Sequence, residues 1–383
     1  MELNSESIWK TYNQQIAFPP LQNDTSVDIV IIGGGITGIS TAEQLKDSGF
    51  TIAVLESGKV GYGTTGQSTG NLYVNIEELL VSLKEKYDEK VIRNVIQARK
   101  KAFDVIERNV KEYKIDCDFK KQPMFIYQET SSSTSFIKEE LEFDKKLNIS
   151  VREIDQQAFP FQLFKGIQYF DQAQFNPLLY TQGLALKIHD KSNCTIYEQT
   201  RVQSINDDNN YYTILTTSGV VKAKIVIHAT HTPKRKQLSY HSRLGPYREY
   251  GVAATLKDKA ECPEGIFWLN QNDEKYSFRT YSRNGRNYIM AIGKPHKVGQ
   301  KNNNKIYVEE LRSFLMKRFS VEEITHQWGG QNYKPADDLP FMGRIKTGSN
   351  EFIATGFSTD GLIYGTLAST ILANIIKGNP DPY

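Results

Sequence analysis

The chain has 383 residues, 39% of them apolar, with 19 phenylalanines and 21 tyrosines, which predicts two or three folding units around a sizeable core. The formal charge of +3 excludes a nucleic-acid or membrane partner recruited by bulk charge, and the short basic runs Lys100-Lys101 and Lys234-Arg235-Lys236 read as solvated faces. Cys117, Cys194 and Cys262 offer no redox pair and no metal-ligand spacing; with no apolar leader in Met1 to Pro20 and no run long enough to cross a bilayer, a cytoplasmic protein without a metal is expected.

Val27 to Ile32 is a nearly continuous apolar run that stops at glycine, as a strand buried on both faces of a parallel sheet does. Gly33, Gly35 and Gly38 then carry a G-x-G-x-x-G spacing. Ile39 to Ser48 reads as a helix ending at Gly49, and Thr51 to Leu55 as a second strand ending on Glu56. In that arrangement Gly33 permits the tight turn, Gly35 lets a pyrophosphate approach the backbone, and Gly38 lets helix and strand pack closely. The helix N-terminus around Ile36 and Thr37 supplies free N–H groups to phosphate, and Glu56 accepts from ribose hydroxyls. A second loop, Gly61 to Asn71, is rich in glycine and hydroxyls, which suits contact with phosphate or a flavin edge and points to FAD rather than NAD; an ordinary surface loop has the same composition.

Gly33 to Gly38, Glu56-Ser57 and Gly63-Thr64-Thr65-Gly66-Gln67-Ser68 resemble the opening of the D-amino-acid oxidase, sarcosine oxidase and glycine oxidase superfamily. The likeness is strongest to the flavoprotein portion of bacterial FAD oxidoreductases that carry a C-terminal Rieske domain. No Cys-x-His pair occurs and the chain stops at Tyr383, so no Rieske domain is expected here. The resemblance implies a discontinuous Rossmann-like FAD-binding domain (26–84, 152–234 and 328–383). An inserted α+β substrate domain on an antiparallel sheet would take 85–151 and 235–327. In the resembling proteins a histidine in the second loop can bond covalently to FAD; Gln67 stands about there, so FAD is expected to be non-covalent.

Between Ile76 and Tyr113 the helical spacing of Val91, Ile92, Val95, Ile96, Phe103, Ile106 and Val110 predicts two amphipathic helices. A strand at Met124 to Gln128, a turn at Ser131-Ser132-Ser133, a helix near Ser135 to Leu147 and a strand at Cys194 to Tyr197 follow. By the resemblance, Val202 contacts adenine through its main chain, and Lys224 to Thr230 returns the chain beneath the pyrophosphate at Ala229 and Thr230. Beyond Thr230 the pattern alternates, predicting strands at Glu249 to Leu256, Ile266 to Leu269, Tyr276 to Thr280 and Tyr288 to Gly293.

Three residues there are substrate candidates. Arg279 would need a partner if buried, either a substrate carboxylate or an internal acid. Tyr250 resembles a tyrosine facing flavin but reads equally as core. His296, following the turn expected at Gly293-Lys294-Pro295, lines the cleft or the surface. The closing segment, Trp328 to Gly343 and then Phe352 to Gly356 with a helix opened by Asp360, Gly361 and Leu362, resembles the part that aims a helix N-terminus at the flavin pyrimidine edge, where reduced flavin carries negative charge. Ser358, Thr359 or Asp360 is expected to cap that helix. An arginine that relatives place after the Trp-x-Gly segment is replaced here by Gly330-Gln331-Asn332.

The function these features imply is oxidation of the C–N bond of an amine or amino acid by hydride transfer to flavin N5, with oxygen or another acceptor taking the electrons. A flavoprotein electron-transfer subunit and an oxidase of a modified tRNA base are the alternatives.

Overall fold

The computed structural model describes residues 6–379 apart from 14, 78, 132–134, 190–192, 234–238, 258–261, 272–273 and 301–303. The basic run 234–236 and most of the serine turn therefore lie outside the described residues. In chain order the strands begin with β1 Thr25–Ile32, β2 Ile52–Leu55, β3 Asn71–Leu72, β4 Lys120–Gln128, β5 Val151–Glu153 and β6 Lys165–Gln174. Next come β7 Cys194–Tyr197, β8 Val202–Asp207, β9 Tyr212–Thr216, β10 Val220–His228, β11 Leu244–Leu256 and β12 Ile266–Gln271. The last are β13 Glu274–Arg283, β14 Arg286–Lys297, β15 Val321–Pro335, β16 Phe341–Arg344 and β17 Glu351–Thr355. The helices are α1 Ile8–Thr11, α2 Ile36–Leu45, α3 Leu80–Leu83, α4 Glu89–Glu112, α5 Ser135–Lys146, α6 Pro177–His189, α7 Lys305–Arg318 and α8 Gly361–Lys377.

The strands form two sheets. One runs β16-β17-β10-β1-β2-β7, parallel throughout except for β16, with the β8–β9 hairpin attached to the first half of β10. Ile29–Ile32 of β1 and all of β2 are apolar at every position because both faces are covered there. Ile29, Ile31, Ile52 and Val54 pack on α2, α6 and α8, while Val30, Ile32, Ala53 and Leu55 pack on Val202, Ile205 and Ile214 of the hairpin. The other sheet runs β15-β11-β14-β13-β12-β4-β6-β3. It is antiparallel except where β12 pairs with β4 in parallel, from Ile266 opposite Met124 to Leu269 opposite Tyr127. Among the described residues no helix is long and apolar enough to cross a membrane.

Several expectations need correction. Only one long amphipathic helix, α4, fills the 76–113 segment; Asp88 caps it by accepting from Val91 N–H at 2.9 Å, and a short turn at α3 precedes it. Sheet membership also divides the chain differently. Strand β6 and the stretch from Trp328 to Pro335, assigned above to the flavin-binding segments, run in the second sheet. The turn expected at Gly293-Lys294-Pro295 is a bulge inside β14, where the register jumps from Tyr250 opposite Gly293 to Arg248 opposite His296. Lys294 adopts φ +59° there, and proline, which has no N–H to lose, falls in the unpaired stretch.

A buried polar chain ties the two halves together. Glu140 of α5 accepts from Leu80 and Val81 N–H, each at 2.8 Å, and from the Asn75 side chain at 3.2 Å. Tyr169 donates to Asp144 at 2.5 Å and accepts from Asn75 at 2.8 Å. The Asn75 carbonyl in turn accepts from Arg99, whose guanidinium donates to Asp360 at 3.0 Å at the start of α8. Burial, reinforced by the nearby Glu140, pushes the Asp144 carboxyl up to about 8. An unfolded aspartate titrates near ~4, so between there and about 8 unfolding releases a proton and raising the pH favours unfolding. Thermal stability should therefore fall as pH rises through that window, and Asp144→Asn should flatten the slope; an identical pH profile for the variant would contradict the assignment.

Candidate active site

The site begins where β1 meets α2. Gly33 sits at φ +112°, and a Cβ there would come within 2.4 Å of the Ala229 carbonyl oxygen. A Cβ on Gly38 would lie 1.9 Å from the Gly33 carbonyl oxygen, so the first and last glycines are needed by the protein's own packing. Gly35 is different: a Cβ there would meet only the Thr65 hydroxyl, at 3.1 Å, and would project into a long cavity between the sheets. Gly33, Ile36 and Thr37 share that wall. At the end of β2 the Glu56 carboxylate is fixed by Gly34 N–H at 2.8 Å and Gly58 N–H at 2.7 Å. Glu56 and Ser57 line the cavity beside Val202, and Ala229 and Thr230 line it beneath the glycine turn.

Gly63, Thr64, Thr65, Gln67 and Ser68 also line the cavity, with Thr65 Oγ1 accepting from Ile36 N–H at 3.0 Å, and Gly361 and Leu362 bring the N-terminus of α8 to it. Of the expected cofactor residues, Gly38, Gly356 and Asp360 are not on the wall. Gly38 is consumed by helix–strand packing, and Gly356, at φ +79°, makes the turn after β17. Asp360 occupies the N-cap position of α8 without a side-chain cap bond. Its carboxylate turns instead to Arg99 and to the Tyr73 hydroxyl, which donates at 2.5 Å. Thr359 Oγ1, buried at the same helix end, has no hydrogen-bond partner among the described residues, although Thr359 lines the cavity. The glycine cradle at Gly35, the two helix N-termini, the fixed acid at Glu56 and the unpartnered Thr359 hydroxyl together fit FAD.

The second loop is held from behind. The carbonyl oxygens of four successive residues each accept from a side chain rooted elsewhere. Ser7 donates to Gly66, Trp328 Nε1 to Gln67 at 3.0 Å, and Trp9 Nε1 to Ser68 at 2.8 Å. Arg279 donates to Thr69 through Nε at 3.0 Å and Nη2 at 2.9 Å, and to the Phe175 carbonyl at 3.2 Å. Its guanidinium carbon lies 5.2 Å from the centre of the Trp9 ring.

These contacts correct the reading of Arg279 as a carboxylate clamp. It is 1% exposed, does not line the cavity, and spends its donors on main-chain carbonyls rather than on an acid. Burial accordingly draws its pKa down to about 9. Tyr250 does line the cavity, with its ring stacked 5.7 Å from both His296 and Tyr307. His296 is not on the wall; it backs Tyr250 from the β14 bulge. Sequence reasoning missed Glu249, His231 and Thr69, all on the wall, and the α1 segment behind the loop. The signal that could have found Glu249 and His231 is adjacency to Tyr250 and Thr230. Nothing local marks Ser7 or Trp9, whose partners lie 59 residues away.

Arg279→Leu should therefore loosen the loop and leave two buried carbonyls unsatisfied, costing about 2–4 kcal/mol of stability. FAD content should fall, and residual turnover of an amino acid and of its decarboxylated amine should fall by the same factor. Selective loss of the carboxylate-bearing substrate would restore the clamp.

Residues 28–375 match the family model described as FAD dependent oxidoreductase. The chain is 30% identical over 380 residues to a Bacillus subtilis (strain 168) protein described as a putative Rieske 2Fe-2S iron-sulfur protein, covering 99% of this chain and 74% of that one. It is 22% identical to the gamma-glutamylputrescine oxidoreductase of Escherichia coli (strain K12), over 97% of this chain and 88% of the relative. Glycine oxidase from Geobacillus kaustophilus superposes with a TM-score of 0.77 at 16% identity, covering 94% of this chain and 96% of that one. L-proline dehydrogenase from P. horikoshii superposes at 0.74 with 19% identity, covering 95% and 96%. With a dinucleotide cradle built as above and a family match over nearly its whole length, the chain belongs to the DAO family of FAD-dependent oxidoreductases and is an enzyme.

Proposed function

We propose that the enzyme oxidises the C–N bond of a small polar amine or amino acid, using non-covalent FAD. The observation that carries this reading is the continuity of two cavities. The main cleft runs to Trp328, Tyr250 and Ile292 and shares Glu249, Asn332, Ser358 and Thr359 with a second cavity. That second cavity is lined by Glu77, Glu274, Lys275, Lys294, Glu310 and Lys334, charges of both signs. Lys294 is paired with Glu274 and Glu310, the latter at 2.8 Å, so the mouth is an ordered polar vestibule rather than a greasy one. The likeness to an oxidoreductase named for gamma-glutamylputrescine and to glycine oxidase supports an amine as the reacting group.

FAD, when bound, supplies the hydride acceptor. Glu249, on the wall common to both cavities, attracts the nitrogen end of the substrate. Tyr250, Ile292 and Trp328 exclude water and fix the carbon that loses its hydrogen, which is alignment rather than acid–base work. No general base is assigned, because a neutral amine needs none for this step. The N-terminus of α8, with Gly361 and Thr359, steadies negative charge that develops on the cofactor. Non-covalent attachment is supported by Gln67 on the loop and by Cys117, Cys194 and Cys262, none of which lines the cleft.

Acid precipitation should release all yellow colour into the supernatant. Mixed anaerobically with a panel of amines and amino acids, the holoprotein should bleach with at least one, and Glu249→Gln should raise the half-saturating concentration of that neutral amine by about tenfold, the scale of one charge-assisted hydrogen bond to the carboxylate. Admission of air then tells oxygen from another acceptor. Failure of every compound to bleach the flavin would contradict amine oxidation and favour an electron-carrying role.

A further inference from the structure

The strand that returns beneath the glycine turn ends in a strained bend that no motif announces. After β10, Thr232 N–H donates to the Thr230 carbonyl at 2.7 Å, closing a three-residue turn around His231. His231 sits at φ +68°, the left-handed form of that turn, which is rare and costly for a residue with a side chain. Two further bonds hold it there. Thr230 Oγ1 donates to the Thr232 carbonyl at 2.5 Å, and Thr355 Oγ1 donates to the His231 carbonyl at 2.5 Å. The imidazole packs edge-on to Tyr333, with ring centres 4.8 Å apart at 62°. It lies on the wall of the main cleft together with Gly33, Thr230 and Ser358. Its Nε2 is buried without a hydrogen-bond partner among the described residues.

We propose that His231 is a cofactor-contacting residue, whose Nε2 makes a hydrogen bond to the FAD molecule in the main cleft. Three independent features converge on it. A non-glycine residue kept at positive φ by three hydrogen bonds is aimed by the backbone, and such over-determined strain collects at ligand sites. A buried ring nitrogen left unpaired costs stability unless a ligand pairs it. The wall it occupies is the one that the fold reserves for the dinucleotide. Burial also draws the imidazole pKa down to about 4, so the ring is neutral at ordinary pH and offers one donor and one acceptor. A neutral ring does not lock on an anion by charge, so its hydrogen bond selects geometry. The Thr230 hydroxyl, on the same wall, already donates to the Thr232 carbonyl, which leaves the His231 ring nitrogen as the buried side-chain polar atom of the turn without a partner among the described residues.

The inference rests on FAD occupying the cleft, so FAD binding by the wild-type protein is measured first; absence of binding there would overturn the cofactor reading and this contact with it, whereas binding that the His231 variants leave unchanged would overturn this contact alone. Given binding, the test compares wild type with His231→Phe, which keeps ring size and packing but has no nitrogen, and with His231→Gly, which adopts φ +68° freely. FAD released on serial dilution of each holoprotein, read by flavin fluorescence, gives the dissociation constant, and thermal midpoints at saturating FAD report folding. The expected result is a dissociation constant raised about tenfold in both variants, one hydrogen bond to a buried partner, with near-wild-type midpoints. FAD held by His231→Phe as tightly as by wild type would overturn the proposal. So would a tenfold loss in His231→Gly alone, since that would assign the effect to backbone freedom rather than to the ring nitrogen.

Discussion

Four consecutive carbonyl oxygens, from Gly66 to Thr69, accept hydrogen bonds from Ser7, Trp328, Trp9 and Arg279. A loop of small and hydroxyl-bearing residues has no packing of its own to define its path, and buried carbonyls left without donors would each cost about 1–3 kcal/mol. Satisfying all four from outside converts a sequence that could be a mobile surface loop into a rigid wall. The donors come from the first turn of the chain, from the middle of the second sheet and from its edge strand. This wall of the main cleft therefore exists only when both sheets and the N-terminal segment are assembled.

The same economy governs the charges. Among the described residues Arg279 and Arg99 are the two fully buried arginines, and neither lines the main cleft. Arg279 satisfies loop carbonyls and lies against the Trp9 ring, while Arg99 gathers the Tyr73, Val74 and Asn75 carbonyls and the Asp360 carboxylate. Each guanidinium acts as a multi-toothed bracket, a use for which its planar set of five donors is suited and a lysine is not. One bracket sets the second flavin loop and the other sets the start of α8, so the two walls that would flank an isoalloxazine ring are fixed by parallel devices. Beyond Glu249 and Asn332 the second, polar cavity opens, lined by charges of both signs.

How much of this was legible in the sequence depends on the range of the interactions. The glycine turn, β1, α2, β2 and Glu56 were readable because their signals are local: apolar continuity, glycine spacing and a terminal acid within 30 residues. The strand at Cys194–Tyr197 was read to the residue. Strand β6 was not, because Tyr169-Phe170-Asp171-Gln172 breaks the apolar–polar alternation of Lys165–Gln174, and its pairing with β3, β4 and β5 leaves no local mark. Arg279 was identified as a buried cation needing a partner, and the partner was misassigned. A main-chain carbonyl 210 residues away leaves no mark in composition or spacing. Asp360 failed as a cap for the same reason, since Arg99 competes for its carboxylate.

The central claim, that outside donors make the second flavin loop rigid, is tested most directly by hydrogen–deuterium exchange over residues 63–72 in the FAD-bound protein and in its Trp9→Phe variant, which keeps an aromatic ring but loses the donor to Ser68. The account predicts slow exchange in the wild type and faster exchange confined to that segment in the variant, accompanied by quicker release of FAD. Equal exchange in the two proteins, with unchanged FAD release, would contradict it.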